Sequence, residues 1–419
     1  MQLELFEWPE CSIGSDGVVG IGQLSPMVEP PSGKIDLKMP NFYEFFAGGG
    51  MARAGLGDSW SCVFANDFDE KKGASYKANW GDADLRIQDI GTLTGNDLPG
   101  RADLAWGSFP CQDLSLAGDY RGLAGERSGT FWQFWRLMEE LKLEGRGPKV
   151  IVLENVCGAI TSHEGKDFAA IGLALAIAGY RFGALVMDAV HFVPQSRPRL
   201  FIVAVAKDAE IAVDLSTRLP NPEWHPANLI AAEAKMPEAA RASWVWWRLP
   251  PPPRRESRFL DLIEAEAEGV AWHTAAETRR LLAMMSDLNR KKVEAAKRVG
   301  GRVVGGLYKR TRVNELGVRT QRAEVRFDDV AGCLRTPVGG SSRQSILVVE
   351  GKDVRSRLLS PREAARLMGL PDEYQLPKNY NEAYHLVGDG LAVPVVRFLA
   401  AHLLEALVRP MLKRRRAAA

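Results

Sequence analysis

The segment Gly107-Ser108-Phe109-Pro110-Cys111-Gln112 places a cysteine directly after a proline, just beyond the apolar run Leu104-Ala105-Trp106. That run reads as a short buried strand. Cys111 then stands on a stiffened loop at a strand's carboxyl end, the edge at which open α/β sheets bind ligands. Further along, Val150-Ile151-Val152-Leu153-Glu154-Asn155-Val156 is a second apolar strand, and it ends on a carboxylate, Glu154. A thiol and a carboxylate delivered by two strand ends to one crevice point to covalent chemistry. A free cysteine alone is more often a small buried hydrophobe, so the reading rests on what accompanies it.

Phe45-Phe46-Ala47-Gly48-Gly49-Gly50-Met51 joins the first expected strand to the first helix. Glycines here let the backbone turn tightly and let a ligand lie against bare amides at a helix amino terminus. Asn66-Asp67-Phe68 closes the second strand, with Asp67 seventeen residues after Gly50. An acid in that place accepts hydrogen bonds from ribose hydroxyls, and Phe68 could face an adenine ring. A third acid, Asp89, follows Ile87-Gln88. The set points to an adenosine-containing cofactor. A nicotinamide dinucleotide fits less well, because Arg53 stands where its third glycine would be, and a glycine turn with no ligand is the bland alternative. In Val193-Pro194-Gln195-Ser196-Arg197-Pro198-Arg199, two arginines alternate on an extended, proline-restricted segment, so both should point the same way and could hold a carbonyl or a phosphate. In isolation they read equally well as a surface salt-bridge pair.

The elements that must position these groups follow from hydrophobic patterning. Strands are expected over 42–46, 62–65, 102–106, 150–153, 183–188 and 200–206, with helices over 130–143 and 167–178. Such alternation implies a doubly wound, mostly parallel sheet. After Ala206 the character changes. Trp244-Val245-Trp246-Trp247 leads into Pro250-Pro251-Pro252-Pro253, which suits neither helix interior nor central strand; the tryptophans there read as core. A long helix is expected from the capping box Thr274-x-x-Glu277 to Gly300-Gly301, another starts at Ser360-Pro361, and an amphipathic helix covers 391–407.

At 419 residues the chain is long for one core, and two domains are expected. The five cysteines are scattered, which suits a reducing cytosol rather than a disulfide framework. No C-x-x-C spacing points to a metal, and the apolar run 171–178 is too short for a membrane span. Net charge is only +2, yet eleven Lys and Arg face four Asp and Glu between Lys297 and Arg343. A basic block on a near-neutral protein fits a polyanionic partner, against the plainer alternative of a solvated charged face.

In order along the chain, Phe46-x-Gly48-x-Gly50, Asn66-Asp67, Gly107-x-x-Pro110-Cys111-Gln112, Glu154-Asn155-Val156, Gln195-x-Arg197-x-Arg199 and Gly388-Asp389-Gly390-Leu391 resemble the DNA cytosine-5 methyltransferases of bacterial restriction-modification type. The last motif departs from the family's Gly-Asn-x-Val. The resemblance implies an α/β fold: a doubly wound, Rossmann-like S-adenosylmethionine-dependent domain plus a smaller mixed target-recognition domain. On that pattern 1–38 is an extension, 39–207 the first part of the catalytic domain, 208–383 the recognition domain, and 384–419 the return plus a basic tail. Cys111 would be the nucleophile, Glu154 would bind the base edge, and Arg197 and Arg199 would order the site. Phe46, Gly48, Gly50, Asp67, Phe68, Asp89, Ile90, Pro110, Asp389 and Leu391 would line the S-adenosylmethionine site, with S-adenosylhomocysteine as product and no metal. Gln112, Ser115, Arg310, Arg312, Arg335, Ser341, Ser342 and Arg343 are the DNA-contact candidates. The implied partner is duplex DNA, met by a cytoplasmic monomer beside a separately acting cognate endonuclease. The alternatives are an RNA cytosine-5 methyltransferase and a catalytically silent DNA-binding protein on the same fold.

Overall fold

Short runs of β-branched and aromatic residues alternate with helices through the first half of the chain. They form β1 (Asn41–Phe45), α1 (Met51–Leu56), β2 (Ser61–Asp67), α2 (Glu70–Trp80), β3 (Leu85–Ile87), β4 (Leu104–Gly107), α3 (Thr130–Leu143), β5 (Val150–Val156), α4 (Lys166–Ile177), β6 (Tyr180–Asp188) and β7 (Pro198–Ala206). This computed structural model describes residues 39–110, 129–313, 317, 319–334 and 343–410. The described residues belong to one compact unit, Lys38–Ala419.

The seven strands form one sheet in the order β3-β2-β1-β4-β5-β7-β6. Pairing from β3 through β5 is parallel, whereas β7 runs antiparallel to both β5 and β6. The strands are apolar on both sides because both faces are covered. Phe42, Trp106, Val150, Val152, Phe201 and Val203 pack on one side with α1, α2 and the C-terminal helices. Tyr43, Phe45, Ile151, Leu153, Leu200 and Ile202 pack on the other with α3 and α4. The reversal of β7 has a direct consequence: its amino end lies at the same sheet edge as the carboxyl ends of β4 and β5.

Beyond β7 come β8 (Ser216–Thr217), α5 (Ala227–Ala234), α6 (Glu238–Arg241) and β9 (Trp246–Trp247), then α7 (Ala275–Ala283), α8 (Asp287–Arg298), β10 (Arg302–Val313), β11 (Arg319–Arg326), β12 (Ser345–Glu350) and β13 (Asp353–Leu358). The single long helix expected from Thr274 is two helices. The Thr274/Glu277 capping box is present, but Ser286 starts a second helix by accepting from the Asn289 amide. The tryptophans are core: Trp247 is buried, and Trp244 packs against Phe168, Phe182 and Trp246. The last four strands form their own antiparallel sheet, β11-β10-β12-β13, on which α7 and α8 close a small core of Leu281, Met285, Val293, Leu307, Ala323, Val325, Leu347 and Val349.

The chain then returns to the large sheet through α9 (Pro361–Arg366), α10 (Tyr380–Asp389) and α11 (Val393–Leu399). Ser360 and Glu363 form the expected capping box, with Pro361 at the first helical position. The stretch Tyr380–Pro410 is long and apolar enough to pass for a membrane span by length and composition, but 56% of its most apolar window is buried inside the fold. Its leucines and valines belong to the large core.

Candidate active site

Glu154 and Arg199 meet at the sheet edge. Val156 of β5 pairs with Arg199 of β7, and Arg199 Nε lies 3.3 Å from Glu154 Oε1. Behind them Trp106 Nε1 donates to Ser108 Oγ at 3.0 Å, and the Ser108 hydroxyl in turn hydrogen-bonds Glu154. Burial pushes the Glu154 carboxyl above its ordinary value, against the pull of Arg199, Arg197 and Ser108. A carboxyl raised in this way holds a proton more readily than an exposed one.

Cys111, Gln112 and Ser115 lie outside the described residues, but the loop's base is described and it is tied down. Asn155 Nδ2 donates to the Phe109 carbonyl at 3.0 Å, and the Ser108 amide donates to Phe45 O at 3.3 Å. Pro110 is exposed at the end of this anchored stretch. The residue after Glu154 thus holds the strand end that leads to Cys111. Sequence reading did not give Asn155 that role, although a buried amide at the end of an apolar strand is a usable signal.

Arg197 and Arg199 diverge. Arg197 is buried, and its guanidinium donates to Leu334 O at 3.0 Å, Gly388 O at 2.8 Å, Gly390 O at 2.7 Å and Cys333 Sγ at 3.4 Å. Its amide donates to Asp188 Oδ1 at 2.7 Å. It ties three distant segments together, whereas Arg199 alone faces Glu154. Half-buried Cys157 lies near this pair; burial pushes its thiol up, so it favours the neutral form.

The glycine turn sits at the end of β1. Phe46 (φ 57°) and Gly48 (φ 55°) are both left-handed, and a Cβ added at Gly48 would meet open space within 4 Å. A strained phenylalanine beside a bare backbone is the kind of outlier that suggests a ligand site. The Gly48 amide donates to Asp67 Oδ2 at 2.8 Å, and the Asp69 amide donates to Oδ1 at 2.9 Å. Burial raises the Asp67 carboxyl, while these two amides pull it back. Phe68 is 72% exposed beside it. Asp89 accepts from the Gly91 amide at 2.8 Å, and Ile90 is buried against the α3 side of the core. The turn is held from outside by Trp80 Nε1 and Tyr374 Oη, which donate to Gly49 O at 3.0 and 2.7 Å. The shape, the carboxylate and the open ring fit an adenosine group.

Glu44 is a residue that the motifs did not single out. It is an acid inside the apolar strand Asn41–Phe45, with 1% of its surface exposed. Its Oε1 accepts from the Arg53 amide at 3.3 Å, so the strand caps the helix behind the glycine turn, for which Gly50 offers no side chain. Tyr76 Oη donates to Oε2 at 3.5 Å, and Arg53 Nη1 to Tyr76 Oη at 3.0 Å. Burial pushes the Glu44 carboxyl up to about 8.

Among the DNA-contact candidates, Arg310 lies on β10 opposite Arg322 of β11, 3.5 Å from Glu324 and over the Tyr308 ring. Arg343 reaches Asn381 on α10 and stacks over Tyr380. Arg335, Ser341 and Ser342, and the Arg312 side chain, lie outside the described residues.

A reversed strand β7 on an otherwise parallel doubly wound sheet, with a glycine turn and Asp67 at the carboxyl ends of β1 and β2, is the Rossmann-like methyltransferase fold. Solved structures share it: an Entamoeba histolytica methyltransferase, EhMeth, at TM-score 0.57 and 14% identity over 89% of this chain and 99% of that one, and S. pombe Dnmt2 at 0.52 and 17% over 89% and 99%. The model of the C-5 cytosine-specific DNA methylase family matches residues 40–405, and the chain belongs to that family. Similar relatives include the type II methyltransferase M.BsuFI of Bacillus subtilis, 26% identical over 88% of this chain and 73% of the relative. M.HhaI of Haemophilus parahaemolyticus is 24% identical over 86% and 93%.

Proposed function

We propose that the protein methylates carbon 5 of cytosine within a specific duplex DNA sequence. S-adenosylmethionine would serve as methyl donor, leaving S-adenosylhomocysteine, and Cys111 would be the nucleophile. The observation that carries the reading is the Glu154–Arg199 pair, next to which Asn155 anchors Phe109, two residues before Cys111 in the sequence. In this reading a flipped cytosine enters between them, at an unstacking cost of a few kcal/mol. The Cys111 thiolate adds to carbon 6, while Glu154 hydrogen-bonds and protonates the ring-nitrogen edge and Arg199 polarises the O2 carbonyl. Carbon 5 thereby becomes nucleophilic and takes the methyl group from the sulfonium sulfur. Loss of the carbon-5 proton to a base then expels the thiolate and restores the ring. Asp67 would take the ribose hydroxyls, Phe68 and Ile90 would flank the adenine, and Phe46, Gly48, Gly50, Asp89, Pro110, Asp389 and Leu391 would line the remainder. The cofactor's part is to present a methyl on a positively charged sulfur.

The four-stranded sheet with α7 and α8 is the proposed recognition module. It lies within the recognition domain expected over 208–383. Arg310 and Arg322 pair across β10 and β11 as exposed cations, with Glu324 3.5 Å from Arg310, and offer charges that a DNA backbone could engage. A cytoplasmic monomer acting beside a separate endonuclease is the cellular setting proposed.

Methylation-sensitive sequencing of DNA from cells expressing the chain should reveal one modified cytosine context. An oligonucleotide carrying 5-fluorocytosine at that position should then trap Cys111 as a denaturation-resistant adduct. A modified context with no adduct would refute the covalent route. Preferential methylation of tRNA in direct competition would move the substrate to RNA.

A further inference from the structure

The glycine turn after β1 is completed by a residue 325 positions further along the chain. Gly49 O accepts from Trp80 Nε1 of α2 at 3.0 Å and from Tyr374 Oη, between α9 and α10, at 2.7 Å. The two donor segments are stitched to each other. Asn79 Nδ2 donates to Gln375 O at 3.0 Å, the Gln375 amide donates to Asn79 Oδ1 at 2.8 Å, and Gln375 Nε2 donates to Ala78 O at 3.1 Å. Arg362 Nη2 of α9 donates to Tyr374 O at 2.9 Å. Space around the three glycines divides in the same way. A Cβ at Gly49 would fall 2.3 Å from Tyr374 Oη, and one at Gly50 2.3 Å from Trp80 Nε1, whereas one at Gly48 would meet nothing within 4 Å. Gly49 and Gly50 therefore make room for the two donors, and Gly48 leaves its side of the turn open.

We infer that Trp80 and Tyr374 are positioning residues for the methyl donor: together they fix the plane of the Gly49–Gly50 peptide, and with it the turn against which the donor lies. This rests on the reading that S-adenosylmethionine binds at the glycine turn. Glycine backbones are the least restrained in a chain, so three in a row sample many conformations unless groups outside the turn hold them. A carbonyl oxygen has two lone pairs and can accept from both donors at once. Losing one donor leaves the peptide held. Losing both frees it, and the ligand must then re-order the turn as it binds. The grip is thus redundant, and half of it comes from the C-terminal return of the chain.

The test is calorimetric titration of the full chain with S-adenosylhomocysteine. Tyr374→Phe and Trp80→Phe each delete one donor and keep an aromatic ring, so Arg53 retains a face to stack on at position 80. Each should weaken binding by about threefold, and the double variant by about fiftyfold, more than the product of the two. At saturating methyl donor the double variant should transfer methyl within about twofold of the parent, a rise in KM without a fall in kcat that general loosening of the core would not give. Melting temperatures of the free protein should fall by no more than about 4 °C, so that each variant is folded when titrated. Asn79→Ala cuts the reciprocal bonds to Gln375 without touching Gly49 and should also weaken binding by about threefold; unchanged affinity there refutes the inference even should the double variant not fold. If the parent binds and the folded double variant binds as tightly, the two contacts are packing alone, and the inference fails while the cofactor reading stands. If the parent itself does not bind, the cofactor reading falls, and the inference with it.

Discussion

At the scale of single residues, chemistry is divided between groups that react and groups that hold them. Cys111→Ser should abolish methyl transfer, by about a thousandfold or more, because a hydroxyl is far less acidic than a thiol. Cys157→Ser should retain it, since that thiol is pushed up and lies off the anchored loop. Tritium transfer from labelled donor reads both. Glu44 makes a different prediction. Its folded carboxyl sits at about 8, above the ordinary 4.5, so the folded state binds the proton more tightly. Its contribution is full below 4.5 and is lost as pH rises through 8. The melting temperature of Glu44→Gln, which keeps the acceptor for Arg53, should therefore gain on the parent steadily between pH 5 and pH 8. Parallel melting curves across that range would show that Glu44 is ionised in the fold.

At the scale of elements, the end of β4 that precedes Cys111 is anchored by the end of β5. Asn155→Ala leaves the buried Phe109 carbonyl without its donor, at a cost of about 1–3 kcal/mol. The expected result is a fall in kcat of about tenfold with cofactor affinity unchanged, since the glycine turn is held separately by Trp80 and Tyr374. An equal loss in cofactor binding would mean that the two loops are not independent. The break between α7 and α8 belongs to this scale too. The apolar pattern continues through Met284 and Met285, but Ser286 caps a new helix, and local capping overrides a pattern that periodicity alone would extend.

At the scale of the whole molecule, Arg197 joins regions that the chain order keeps apart. Its guanidinium binds the Leu334 carbonyl, between β11 and β12, and the carbonyls on both sides of Asp389, while its neighbour two residues on pairs with Glu154. Arg197→Met should cost about 3 kcal/mol or more in denaturant titrations, because several buried carbonyls lose a charged donor. Arg199→Met should cost less stability than Arg197→Met, because the raised Glu154 carboxyl can neutralise itself by taking up a proton once its partner is gone, yet remove most methyl transfer. If the two variants behaved alike, the division between a structural and a reactive arginine would be wrong.

The order of motifs, the six long strands, the glycine turn and the carboxylate at the end of β5 were all legible in the amino-acid sequence, because each leaves a local mark: an apolar run, a cluster of glycines, an acid closing a strand. The three-residue strand Leu85–Ile87 was too short to stand out, and the direction of β7 left no mark, since a buried strand reads the same both ways. That direction alone brings Arg199 to Glu154. The divergence of Arg197 from Arg199, the burial of Glu44 and the convergence of Trp80 and Tyr374 on Gly49 were likewise decided only by tertiary packing. Each joins residues far apart in the chain, and composition and spacing carry no information about which distant groups will share one desolvated space.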